Sequence, residues 1–231
     1  MIGYMIIMGV FTFAGMILSG RLKSVFYKYG EYGTSSGMTG KEVAEAMLAH
    51  YGVHDVQVVP GKGTLTDHYN PKTKTIALSE PVYSRKSISA AAVAAHECGH
   101  AVQHATSYAM LGMRSALVPV VNFSSKAQQF LMMGMFAGIG AGFVSPVLMT
   151  GILAATFGVT ALFSFITLPV EFDASKRALA WLDESGVTVG AEYDGAKKAL
   201  WWAAMTYVCN ALMALAMFLF FALKMANSRR R

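Results

Sequence analysis

Three stretches of the chain carry almost only apolar side chains, and most of the polar residues lie between them. Residues 2–19, IGYMIIMGVFTFAGMILS, hold no charge, and as a helix they come close to the roughly 20 residues needed to cross hydrocarbon. Residues 129–168 contain no Lys, Arg, Asp, Glu or His. That is about twice one span, so the pattern predicts two crossing helices with the turn at Ser145-Pro146 or Thr150-Gly151. Residues 202–223 form the last apolar run, closed by Lys224 and the tail Arg229, Arg230 and Arg231. From Arg21 to about Lys126 the pattern is that of a globular domain. TGKEVAEAMLAHYG (39–52) predicts a helix with Thr39 as N-cap, Glu42 as its capping-box partner and Gly52 as the stop. VQVVP predicts a short strand. The alternation within residues 65–79, after a turn at Asn70-Pro71, predicts a hairpin. The alanine-rich stretch that follows predicts a helix capped by Ser87 or Ser89. In the polar segment 169–200, Pro169 suits a helix start and the periodicity continues from Glu171 to Leu182.

Composition turns this pattern into a class. The chain has 231 residues, 55% hydrophobic and 14% charged, and a mean hydropathy of +0.44, which is too apolar for an ordinary soluble domain. A mainly α membrane protein with about four transmembrane helices and a small β-hairpin or sheet is expected. The division expected is an N-terminal anchor at 1–20, a polar domain at 21–127, two spans at 128–168, a polar helical segment at 169–201, a C-terminal span at 202–224 and a basic tail at 225–231. The first span reads as an uncleaved anchor, because no cationic stretch precedes it and no clear cleavage site follows. Cys98 and Cys209 do not suggest a disulfide framework. The net charge of +6 comes without a basic, aromatic-interleaved stripe, so the lipid bilayer and not nucleic acid is the expected partner. Arg21, Lys23 and Lys28 follow the first span and place the polar domain in the cytoplasm of a plasma-membrane protein; the triple-arginine tail pulls the other way.

The candidate chemistry sits in AAHECGHAVQH, residues 94–104. His96 and His100 are one helical turn apart, so both imidazoles can face a single ion. Glu97 does not bind the metal in an H-E-x-x-H arrangement; it takes the proton of the water that the metal activates. Gly99 costs a helix about 1 kcal/mol relative to alanine, which fits a place where another backbone or a ligand comes close. Catalytic zinc takes three protein ligands and keeps one position open. On a straight helix His104 lies about 12 Å from His96, too far to share an ion, and reads as a surface or supporting group. His50, His54 and His68 read as lone structural histidines, and Cys98 points off the ligand face. Glu171 is the candidate third ligand: two crossings between His100 and Glu171 would return it to the side of the histidines. A carboxylate in a first helical turn is also explained by the helix dipole. An oxyanion donor is expected beside the metal, with Tyr193, Tyr69 and His68 as candidates.

HECGH followed about seventy residues later by EFDAS, with two apolar spans between, an anchor in front and SEPVYS leading into the motif helix, resembles the bacterial membrane family of neutral zinc metallopeptidases, the YugP-like group. It is also similar to HtpX-type membrane proteases, gluzincins in which two histidines and a distal glutamate hold zinc. The resemblance implies a zincin-like α+β catalytic domain, Zn2+ on His96, His100 and Glu171, Glu97 as general base, and a protein or peptide substrate. HtpX-type proteins place Asp four residues after the ligand glutamate, where this chain has Ser175; Asp173 or Ser175 is expected to orient a histidine instead. The leading expectation is a membrane-anchored zinc endopeptidase. The alternatives are a non-proteolytic zinc-binding membrane scaffold and an intramembrane protease, the latter disfavoured by the polarity of the motif helix.

Overall fold

The computed structural model describes residues 2–136 and 145–228. It is mainly helical, with α1 (Ile2–Gly30), α2 (Gly40–His50), α3 (Glu80–Tyr83), α4 (Ile88–Ala105), α5 (Ala109–Phe136), α6 (Pro146–Glu184) and α7 (Ala191–Ser228), and has three short strands, β1 (Gln57–Gly61), β2 (His68–Asn70) and β3 (Thr75–Ser79). The chain forms two compact units. One gathers Leu18–Gly112 with Pro169–Met205, the other Met1–Ile17, Met113–Leu168 and Thr206–Arg231.

In the first unit the local signals act as the sequence predicts. Thr39 Oγ1 accepts the Glu42 N–H at 3.2 Å while the Glu42 carboxylate accepts the Thr39 N–H at 2.7 Å, so two orphan donors at the start of α2 are satisfied together. Gly52, at a φ of +67°, ends that helix where a side chain would be strained. Ser87 caps α4 through the Ala90 N–H. The predicted hairpin is β2 and β3, antiparallel with Tyr69 opposite Ile76, and β1 adds to β3 in parallel, giving the order β1-β3-β2. Ile76 and Leu78 of the central strand are fully buried beside Val43, Met47, Val82, Leu182 and the alanines of α4. Burying each large side chain contributes roughly 1.5–3 kcal/mol. Small residues let α4 sink into this core: seven of its alanine and glycine positions are buried, at Ala90, Ala91, Ala92, Ala94, Ala95, Gly99 and Ala101, and Ala178 of α6 joins them.

The second unit is an apolar packing of helices around Leu153, Ala154, Met217 and Phe221. Phe157 and Phe221 stack with ring centroids 5.4 Å apart, and Gln128 donates to Thr160 Oγ1 at 3.1 Å, which pairs two polar groups where few other partners exist.

Two expectations are corrected. Among the described residues three helices, not about four, are long and apolar enough to cross a membrane: α1, α6 from Val147, and α7. Of the two spans expected in 128–168, α6 carries the second; the first falls on α5, which begins at Ala109, carries Arg114, Asn122, Lys126, Gln128 and Gln129 and is not among the three, and on residues 137–144, which lie outside the described ones. Pro169 does not start a helix. It lies inside α6, which runs unbroken from the apolar stretch into the polar one, and Thr150-Gly151 is likewise helical. Pro169 removes one backbone donor there without ending the helix, as packing can override its local cost.

Gly99 fixes how α4 meets α6. A Cβ at Gly99 would stand 2.5 Å from the Ala174 carbonyl oxygen and 3.0 Å from its Cα, both backbone atoms that cannot swing aside. Gly99→Ala is therefore expected to lower stability by about 1–3 kcal/mol through overpacking, despite alanine's better helix propensity. Thermal unfolding of the purified protein measures this; an unchanged midpoint contradicts it.

Candidate metal centre

α4 presents His96 and His100 on one face, and α6 delivers Glu171 to it, far from any helix terminus. Glu171 Oε2 lies 3.4 Å from His96 Nε2 and 3.6 Å from His100 Nε2. The two imidazoles are 4.8 Å apart between centroids and nearly perpendicular, at 81°. All three donor atoms fall within 4.8 Å of one another, and Glu171 and His100 are buried. The helix-dipole explanation of Glu171 loses its ground, since this residue is mid-helix. Bonds of about 2.1 Å in a tetrahedron set neighbouring ligand atoms about 3.4 Å apart, so the two contacts of Glu171 match the edges of such a site. Two imidazoles and one carboxylate are also the donor set that suits zinc.

The hydrogen bonds behind the cluster settle the direction of one histidine. Gln103, fully buried, donates from Nε2 to the Val170 carbonyl and to Asp173 Oδ2, both at 2.8 Å. Those partners only accept, so Gln103 turns its Oε1 toward His100 Nδ1 at 3.0 Å and Nδ1 must donate. A neutral His100 then carries its lone pair on Nε2, facing Glu171 and His96. Arg177 holds Asp173 in turn, Nε to Oδ2 at 2.6 Å. Ser175 Oγ lies 3.1 Å from His96 Nδ1. The two supporting candidates thus divide the work: Ser175 contacts one histidine directly and Asp173 reaches the other through Gln103. The sequence reading missed Gln103. The available signal was its place three residues after His100, on the same helix face. Burial pushes the His100 imidazolium down, but the hydrogen bond to Glu171, the charges of Glu97 and Glu171 and the bond to Gln103 outweigh it and raise the pKa above the ordinary histidine value. A proton therefore sits favourably where a cation would.

Glu97, on the same helix, accepts the Tyr69 N–H on Oε2 at 2.9 Å, which ties it to β2 at the edge of the sheet. His104 is exposed and meets the Tyr69 hydroxyl through Nδ1 at 2.8 Å, away from the three donors. His68 contacts the Thr66 carbonyl, and His50 packs on Tyr51 and Trp181. Of the three oxyanion candidates, Tyr69 is the one bonded to the motif helix; Tyr193 lines a separate cavity. Cys98 is buried, bonds the Ala44 carbonyl at 3.4 Å, and has its thiol pKa pushed well up by burial and by Glu97, so it is a packing residue.

Fold and site together define a helical protein with three long apolar helices and a His-His-Glu cluster of metal-binding type. The comparison with known families agrees: residues 4–226 match the family described as "Putative neutral zinc metallopeptidase", and the chain belongs to it. It is 43% identical over 209 residues, 90% of each chain, to a Bacillus subtilis (strain 168) protein named "Putative membrane protease YugP". No solved structure matches the chain.

Removing the support behind a ligand should loosen the site without removing a donor atom. Gln103→Leu and Ser175→Ala are each expected to weaken zinc binding about 10–100-fold. Competition against a chelator of known affinity reads this directly, and wild-type affinity in both variants would contradict the assignment.

Proposed function

We propose that the protein is a membrane-anchored zinc endopeptidase, with His96, His100 and Glu171 as the zinc ligands and Glu97 as general base. The observation that carries this reading is the meeting of Glu171 with the two H-E-x-x-H histidines at tetrahedral-edge distances. Zinc held there would supply Lewis acidity, making a water nucleophilic at neutral pH and polarising the scissile carbonyl. Glu97 accepts the proton from that water and passes it to the departing amine. The Tyr69 N–H, by holding Oε2, orients the carboxylate and leaves Oε1 for the proton. β2 is an edge strand, which suits an extended peptide laid beside it, and protein or peptide substrates follow from this reading. α4 is not among the helices apolar enough to span a bilayer, which favours hydrolysis outside the hydrocarbon over intramembrane cleavage.

The same cluster bears on topology. His100 and Glu171 share one site, so the chain between them crosses the membrane an even number of times. α6 supplies one crossing, and the chain between His100 and α6 supplies the other. The polar unit faces the cytoplasm of a plasma-membrane protein, as Arg21, Lys23 and Lys28 after the first apolar run favour.

Two experiments test these statements. Glu97→Gln should lose at least about 100-fold in peptide hydrolysis, while metal analysis still finds about one zinc per chain. A fully active variant refutes the general base, and absence of zinc from active, folded wild type refutes the metal reading. Cysteines placed at the exposed positions Lys62 and Ala191 should react with an impermeant maleimide from one and the same face of the membrane. Reaction from opposite faces would rule out Glu171 as a partner of the histidines.

A further inference from the structure

A cavity of about 580 Å³ opens between the polar stretches of α6 and α7. Its lining follows one face of each helix, positions 172, 175, 176, 179 and 180 on α6 and 193, 197, 200, 201 and 204 on α7. The wall is apolar, from Phe172, Leu179, Leu200 and Trp201, and two of these rings lie open to the surroundings: Phe172 is 40% exposed and Trp201 55%. Over that wall stand Lys176, Lys197 and Lys198, against a single carboxylate, Asp194. Among the described residues none of the three lysines has an ion-pair partner, whereas neighbouring Arg177 is held by Asp173. Zinc chemistry has no use for this arrangement.

Its place in the chain indicates the ligand. The apolar run of α6 ends at Leu168, four residues before Phe172, and that of α7 begins at Trp202, next to Trp201. The cavity therefore belongs to the segments bordering two membrane-spanning runs, the level at which tryptophan rings and lysine ammonium groups meet lipid headgroups. An exposed apolar wall capped by unpaired lysines complements an amphiphile with an anionic head and a hydrocarbon tail. We propose that this cavity is a binding site for an anionic phospholipid, its phosphate held by Lys176, Lys197 and Lys198 and one acyl chain laid along Phe172, Leu179 and Trp201. Ser175, which also borders the cavity, contacts His96, so the lipid would sit one side chain away from the metal cluster.

Tryptophan fluorescence tests the site without metal or hydrolysis as a readout. The full chain is reconstituted in vesicles of phosphatidylcholine and phosphatidylglycerol at equal mole fractions, with one or the other lipid brominated. Brominated phosphatidylglycerol should quench more strongly than brominated phosphatidylcholine, and Trp201→Phe should remove the excess. Lys176→Gln with Lys197→Gln and Lys198→Gln should cut the preference for the anionic lipid on the order of ten- to a hundredfold, while Lys62→Gln with Lys72→Gln leaves it unchanged. Equal quenching by both lipids in the wild type, or an undiminished preference in the triple variant, overturns the proposal. So does displacement of the quenching by an acidic peptide at unchanged lipid composition, which would make the cavity a peptide subsite.

Discussion

The backbones of α4 and α6 touch at Gly99 and Ala174, and the position of every donor in the metal cluster follows from that contact. A side chain at Gly99 would hold α6 away by the width of a methyl group. Glu171 lies three residues before Ala174 and Ser175 one residue after it, so both the third donor and the support of His96 are placed by the same crossing. Hydrogen bonds tolerate about a few tenths of an ångström before they weaken. A shift of the size Gly99 prevents would break the Ser175 contact and lengthen both contacts of Glu171. The glycine is costly to its own helix and is retained because the neighbouring helix occupies the space its side chain would fill.

Behind that contact, buried polar groups bond one another across α4 and α6. Gln103 would be expensive in the core if its amide were unmatched, at about 1–3 kcal/mol for each lost partner. Its two donated bonds go to α6 and its oxygen goes to His100, so the same side chain bonds the two helices together and fixes a tautomer. Asp67 shows the same economy beside the hairpin: burial raises its pKa, and the Ser79 N–H and hydroxyl, bonding the carboxylate, oppose that rise.

Much of this was legible because it depends on short-range chemistry. The capping box at Thr39, the stop at Gly52, the hairpin at Asn70 and the spacing of His96 and His100 each involve residues a few positions apart, and each is present as the pattern predicts. The errors arise where tertiary packing overrides a local rule. Pro169 looks like a helix start, but α6 has partners along both its apolar and polar stretches and continues through it. The span expected from Gln129 rests on apolar residues alone, whereas the helix that holds Gln129 starts twenty residues earlier and brings Arg114 and Lys126 with it. For Gln103 the only signal is its place three residues after His100 on the same helix face; that it is buried between two helices depends on how α4 meets α6. The lysines of the cavity belong to the same case, because their meeting depends on the pairing of α6 with α7 and not on their spacing in either helix.

A cation in the cluster would do more than chemistry. His100 and Glu171 are separated by 71 positions, the difference of their numbers, and the apolar run of α6 lies between them. Closing a loop of that length costs entropy that grows only as the logarithm of its length, about 0.6 kcal/mol for each doubling, so tying its ends by metal is inexpensive once the surrounding core has formed. The binding free energy of the ion is then available to hold α6 against α4. Without an ion, the Glu171 carboxylate 3.6 Å from Nε2 favours the imidazolium form of His100. The two states differ in what they ask of Ser175 and Gln103: an imidazolium donates from both ring nitrogens, and a metal-bound imidazole donates only from Nδ1. Gln103 Oε1 accepts from His100 Nδ1, and the Ser175 hydroxyl, which can accept from His96 Nδ1, serves either state.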